Sequence, residues 1–248
     1  MAYIESRGTL KAVDVKSRAV RKLMDGRFQY SYSDGDLWFR WSPDSRWLLS
    51  NYIGNGGWNN SDIALVPADG SQKITNLTNS GYNDGNARWV LGGKAMIFQS
   101  DRAGYRSHGS WGAEYDAYIM FFDLDAYERF RMSKEERALY DEAKKEEKKT
   151  DDDKADKKVK VKFDLIKSKK SKGKDDGKGA DGSAIKPLQL DLAHCRDRVL
   201  RLTVNSSNMG DAILSNGGDT LYYQASFEGD YDLWRHTMTD NKTELVIK

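Results

Sequence analysis

The chain has 248 residues, with 40 basic against 38 acidic side chains, three histidines and one cysteine. A formal net charge of +2 is too even to imply binding to nucleic acid or to an anionic membrane surface. No apolar run approaches the roughly 18 to 20 residues of a membrane-spanning helix, and Cys195, standing alone, excludes an intrachain disulfide. Seven Trp, thirteen Tyr, 22 Gly and only three Pro suit an all-β chain with many turns.

Met1 to Leu10 lacks the apolar centre of a secretory signal and reads as the middle of a strand, as though the chain opened inside a repeat. Thr9 to Arg18 is a strand ending in a polar turn, and Ala19 to Leu23 a short strand after it. Phe39-Arg-Trp-Ser-Pro-Asp-Ser-Arg-Trp-Leu-Leu-Ser50 opens a fuller unit, which recurs as Ala87 to Ser100 and, more worn, as Ala212 to Ala225. In each copy a large apolar residue (Trp41, Trp89, Leu214) precedes a hairpin turn made by Ser-Pro-Asp-Ser, Leu-Gly-Gly-Lys or Asn-Gly-Gly-Asp. A second strand follows each copy, starting at Asp62, Asp116 and Asp232, and a short outer strand ends the unit at Lys73–Thr78, Arg198–Thr203 and Thr243–Ile247. Trp41 and Trp89 lie 48 residues apart. Three to four short antiparallel strands at a period of about 40 to 50 residues describe a propeller blade. A β-sandwich of evenly spaced strands is the plainer alternative, and the aligned two-part repeat argues against it. The expected fold is therefore all-β, a partial β-propeller of about three to four antiparallel blades.

Between the second and third copies the spacing jumps to 125 residues, from Trp89 to Leu214. Ser133-Lys-Glu-Glu136 is a capping box, which predicts a helix from about Lys134 to Lys149. Thr150 to Lys158 and Lys167 to Ser183 are rich in Lys, Asp and Gly and nearly free of apolar residues, so disorder is expected there, with Val159–Ile166 as a strand between them. Asp and Glu interleave with Lys, which favours a solvated loop over a nucleic-acid arm. The expected organisation is blades over 1–132, a helical and charged disordered insertion over 133–184, and a return strand with the last blade over 185–248.

No catalytic constellation stands out. His108, His194 and His236 fit no metal-ligand spacing, and nothing calls for a metal or other cofactor. His194 and Cys195 are adjacent, and neighbours on a strand point to opposite faces, which is the wrong geometry for a nucleophile and its base. Gly54 to Asn60 is glycine-rich but lacks the Lys-Ser/Thr of a phosphate loop. The loops Tyr52–Ser61 and Asp101–Gly112 occupy the same position in successive units and should emerge on one rim. Arg102, Arg106, His108 and Trp111 either meet a peptide carboxylate or backbone there, or lock neighbouring blades together.

The W-S-P-D turn and the apolar strand after it resemble TolB-like and WD-like propeller repeats. Ser100-Asp-Arg-Ala-Gly, His108-Gly-Ser-Trp-Gly, Asp116-Ala-Tyr-Ile-Met-Phe-Phe, Met132-Ser-Lys-Glu-Glu136 and Asp197-Arg-Val-Leu-Arg-Leu-Thr203 resemble, more specifically, the propeller of tricorn-like serine proteases. That resemblance implies a non-catalytic module gating or channelling peptide or unfolded-protein substrates. The partners would be further propeller, PDZ-like and catalytic domains of a parent serine peptidase, with no nucleic acid or membrane. The catalytic Ser and His of that family lie outside its propellers, so no catalytic residue is carried over. A stand-alone TolB-like propeller for protein–protein binding, and the propeller of a prolyl-oligopeptidase-type peptidase, are the alternatives. The family default is cytoplasmic, with periplasmic or exported forms as the alternative.

Overall fold

A computed structural model describes residues 1–33, 35–54, 57, 59–106, 112–144 and 186–248. The expected strand Val159–Ile166, both charged stretches, His108 and Trp111 lie outside the described residues, as do three residues of the glycine-rich loop and the end of the expected helix. The chain divides into two units, residues 1–130 with 186–248, and residues 131–185.

The first unit is a partial β-propeller of four antiparallel sheets. Sheet I holds β1 (Ala2–Glu5), β2 (Thr9–Val13) and β3 (Val20–Met24). Sheet II is β4 (Phe39–Trp41), β5 (Trp47–Tyr52), β6 (Asp62–Pro67) and β7 (Thr75–Asn76). Sheet III is β8 (Asp84–Val90), β9 (Ala95–Ser100), β10 (Asp116–Phe121) and β11 (Val199–Arg201), and sheet IV is β12 (Asn208–Leu214), β13 (Thr220–Ser226), β14 (Asp232–Thr237) and β15 (Lys242–Ile247). In sheets II to IV the strands pair in sequence order, the blade topology expected from the repeat. The aligned residues are structurally equivalent: Trp41, Trp89 and Leu214 face Leu48, Met96 and Leu221, each seven positions on.

Burial follows the two-residue period of a strand. Ala64 and Val66 of β6 join Leu10, Leu23 and Met24 in the core between sheets I and II. Ile63 and Leu65 of the same strand join Met96, Phe98, Tyr118 and Met120 between sheets II and III. The other faces of β9 and β10, carrying Ile97, Ile119 and Phe121, meet Leu214, Leu221 and Tyr223 of sheet IV. The short helix α1 (Leu124–Arg131) presents Tyr127 and Phe130 to Phe121, with ring centroids 5.5 and 5.2 Å away. It precedes the helix that the sequence points to; Leu124, Tyr127 and Phe130 at i, i+3 spacing are the signal for it.

The turns between the first two strands of a sheet use one serine in two settings. Ser42 Oγ accepts from the Trp47 N–H (3.0 Å) and donates to Asp44 Oδ1 (2.6 Å). Ser215 Oγ accepts from the Thr220 N–H (3.1 Å), also five residues on, and donates to Asp219. Residues 186–192 tie sheets II and III together. The Leu188 N–H donates to Asp44 Oδ2 (2.8 Å), the Asp191 N–H to the Phe122 carbonyl (3.0 Å), and Leu190 and Leu192 pack on the core between the two sheets. Leu188 approaches Gly93 so closely that a Cβ there would lie 2.6 Å from its methyl carbon, and Gly93 also has φ +92°.

In the second unit, residues 134–144 are helical. The capping box is formed: the Glu136 N–H donates to Ser133 Oγ (3.2 Å) and the Ser133 N–H to Glu136 Oε2 (2.8 Å).

Candidate functional site

The first strands of sheets II, III and IV converge on an open cleft of about 340 Å3, lined by Trp38, Arg40, Asn86, Ala87, Arg88, Gly210, Asp211 and Gln224. Two bulges shape it. The ladder of β8 on β9 shifts between Gly85 and Arg88, and that of β12 on β13 between Met209 and Ala212, one residue earlier in the aligned repeat of the next sheet. A bulge bends its strand and re-aims side chains; Asn86, at φ +52°, occupies the left-handed conformation that Asn tolerates better than most residues. Gln99 of β9 joins the bulges: it accepts from Asn86 Nδ2 at 3.0 Å and donates from Nε2 to the Gly210 carbonyl at 3.0 Å. Arg88 donates to Asp211 Oδ2 at 2.5 Å, tying sheet III to sheet IV, and the Trp89 indole N–H reaches the Arg40 carbonyl at 3.4 Å.

One residue before the β8 bulge begins a buried polar network that fixes that end of the strand. Asp84 is fully buried and receives both bonds from Arg102 Nη2 at 2.9 Å, with a third from Ser80 Oγ at 2.6 Å. The Arg102 guanidinium also lies over the Tyr118 and Phe98 rings, at 4.9 and 5.3 Å. Asp101 accepts from Arg106 Nε (2.9 Å) and from the Asn83 N–H (2.9 Å), while Arg106 Nη2 reaches Asn60 Oδ1 (2.6 Å) in the loop of the preceding sheet. Burial pushes the Tyr115 phenol above its ordinary range, partly offset by the bond it accepts from Asn83 Nδ2. Arg102 and Arg106 are thus brought together around Tyr82 and engaged by carboxylates of their own chain. His108 and Trp111 lie in the same loop outside the described residues.

A second carboxylate device repeats between sheets. Asp62 and Asp116 begin β6 and β10, and each accepts from a threonine just past the outer strand: Thr78 Oγ1 at 2.9 Å and Thr203 Oγ1 at 2.6 Å. Each threonine in turn accepts a backbone N–H, from Ile63 and Ala117 respectively. Asp116 also takes Arg201 Nη2 (2.7 Å) and Ser206 Oγ (2.7 Å). The recurring Leu-Thr at 77–78 and 202–203 is the sequence signal for this pair.

Cys195 is buried in the core between sheets II and III, its thiol pushed up by that burial, while His194 is turned to Asp191. Thiolate chemistry would need the reverse shift and a base at hand. His236 is buried against Thr243 Oγ1 at 2.8 Å, and burial lowers its pKa. Among the described residues no group of three His, Cys, Asp or Glu is placed to hold a metal, and no helix is long and apolar enough to cross a membrane. The signal that sequence reading passed over is the cleft: counting back three from Trp41, Trp89 and Leu214 gives Trp38, Asn86 and Asp211, all on its wall.

No protein-family model matches the chain, and no curated protein matches it in sequence. Among solved structures, the tricorn protease is similar over 97% of this chain and 20% of that chain, at 11% identity and a TM-score of 0.53. TolB from Acinetobacter baumannii is similar over 99% of this chain and 39% of that one, at 16% identity and a TM-score of 0.49. The chain therefore spans less than half the length of either protein. At 11% identity the tricorn likeness shows a shared β-propeller fold, in agreement with the four-sheet topology.

Proposed function

We propose that this chain is a non-catalytic propeller module that holds extended peptide segments in the cleft between its first strands, and so gates or channels them for a tricorn-like serine peptidase. The observation that carries this reading is the cleft itself. It is open, rigidly framed by paired bulges and the Gln99 bridge, and lined by backbone-like amides, an indole and guanidinium groups. Such a wall offers donors and acceptors to a polypeptide backbone without demanding one side chain. In this reading Arg102 and Arg106 act on the peptide indirectly. Any ligand anion would have to compete with Asp84 and Asp101 for them, so their part is to hold the start of β8 and the adjoining loop in place. The remaining propeller, PDZ-like and catalytic domains of a parent enzyme would supply the chemistry.

The test is binding of fluorescein-labelled extended peptides by anisotropy, run beside a fluorogenic hydrolysis assay. Binding without turnover is expected, and Gln224→Trp, which fills the cleft from an exposed position, should abolish it while leaving the melting curve unchanged. Turnover that follows the chain through purification, or binding that ignores Gln224→Trp, would overturn the reading.

A further inference from the structure

The repeat makes it possible to ask what each cleft residue would be if the sheets were identical. Arg40 and Arg88 hold equivalent positions, one residue before Trp41 and Trp89. Asn86 and Asp211 are likewise equivalent, three residues before Trp89 and Leu214. Between sheets III and IV the cation of one meets the acid of the next, since Arg88 donates to Asp211 at 2.5 Å. The same step taken from sheet II to sheet III leads from Arg40 to Asn86, a neutral amide. Arg40 is exposed, its guanidinium donates to the carbonyl of its own neighbour Phe39 at 3.0 Å, and among the described residues no carboxylate pairs with it. Asn86 spends its amide N–H on Gln99. One wall of the cleft therefore carries a balanced ion pair and the other an unbalanced cation, at a position whose counterpart accommodates a carboxylate.

From this we infer that the cleft selects peptides bearing a carboxylate, with Arg40 as its anchor, the ligand supplying the acid that Asn86 does not. The inference rests on the peptide-binding reading above. A guanidinium presents a planar fork that suits a carboxylate. A single negative charge balances Arg40, whereas a more highly charged anion would also meet Asp211 across the cleft. The carboxylate is either a free chain terminus or an Asp or Glu side chain, which share this chemistry.

Three labelled peptides of one sequence separate the cases: a free C-terminus, an amidated C-terminus, and an amidated form carrying an internal Glu. The whole chain should bind at least one carboxylate peptide about tenfold more tightly than the neutral one, the scale of one partly exposed charge-assisted bond. Arg40→Gln should erase that preference by removing the cation. Asn86→Asp should erase it by supplying the internal acid, and Asp tolerates the same left-handed backbone. An unchanged melting curve shows each variant to be folded. Which carboxylate peptide wins identifies a terminus or a side chain. Equal affinity for all three peptides, or a preference that survives both variants, overturns the inference and leaves the peptide reading standing. If none of the three binds, the peptide reading falls as well.

Discussion

Sheets II and III bury both faces, whereas sheets I and IV bury one, and the same strand position carries a different sequence accordingly. All six residues of β6, of β9 and of β10 are buried. In β13 Leu221, Tyr223 and Ala225 are buried while Tyr222 and Gln224 are exposed, and in β2 Leu10 and Ala12 alternate with the less buried Lys11. A strand between two sheets reads as a nearly continuous apolar run, and one with a single neighbour alternates. The outer face of sheet I holds the Lys11–Glu5 ion pair; that of sheet IV carries Ile213, Tyr222 and the Arg235–Glu244 pair. Similarity between repeats therefore survives in the residue types of the turns and strand starts, such as Ser42 and Ser215 or Asp62, Asp116 and Asp232, better than along the strands.

The widest separation between the two kinds of sheet should come from one residue type placed in each. Ile119, in β10, is fully buried between sheets III and IV, while Ile213, in β12, is 55% exposed. Ile119→Ala should cost about 3–4 kcal/mol, through lost burial and an unfilled cavity, and Ile213→Ala less than about 0.5 kcal/mol. Denaturant midpoints at constant slope measure both. A cost at Ile213 comparable to that at Ile119 would mean that its sheet face is covered in solution.

The polar positions extend the comparison at a smaller scale. Asp116 and Asp232 start the third strand of sheets III and IV, but Asp116 is fully buried under Arg201, Thr203 and Ser206. No side-chain hydrogen bond of Asp232 is seen among the described residues. Asp116→Ala should cost about 2–3 kcal/mol, because the hydroxyls it serves lose their acceptor in a buried setting, and Asp232→Ala less than about 0.5 kcal/mol. Similar losses from the two would break the distinction between middle and terminal sheets at this position.

Much of this was legible in the sequence, for definite reasons. The outer strands and the turns at Ser42, Leu91 and Asn216 announce themselves through alternation and turn residues, which are local properties. The Ser133 capping box is local too, and is formed. The cleft was harder to read: Gly85 inside a strand hints at a bulge, but a bulge is a property of two paired strands, and only the pairing shows that β12 carries another beside it. The loop arginines left two readings open for a similar reason. Arg102 and Arg106 stand in a loop expected on one rim, where binding commonly resides, and only the folded chain brings Asp84, 18 residues upstream of Arg102, under its guanidinium. The clasp by residues 186–192 lies beyond sequence reading because Leu188 and Asp44 are 144 residues apart.

That clasp gives the smallest of the expected effects and the one with a pH signature. Burial alone would raise the Asp44 carboxyl, but the Ser42 hydroxyl and the N–H groups of Leu188 and Arg46 more than offset it and hold it below its ordinary value near 3.8. A carboxyl depressed on folding adds stability that is fully present above its unfolded value and is lost as pH falls through the folded one. Asp44→Ala should therefore cost about 1–2 kcal/mol at pH 7. The gap to the native chain should stay constant down to about pH 5 and narrow below it. Asp44→Asn should keep part of the hydrogen bonding but show no such narrowing against Asp44→Ala, since neither titrates. A gap that widens in acid would mean that folding raises the Asp44 carboxyl instead of lowering it, and that the Leu188 clasp does not depend on its charge.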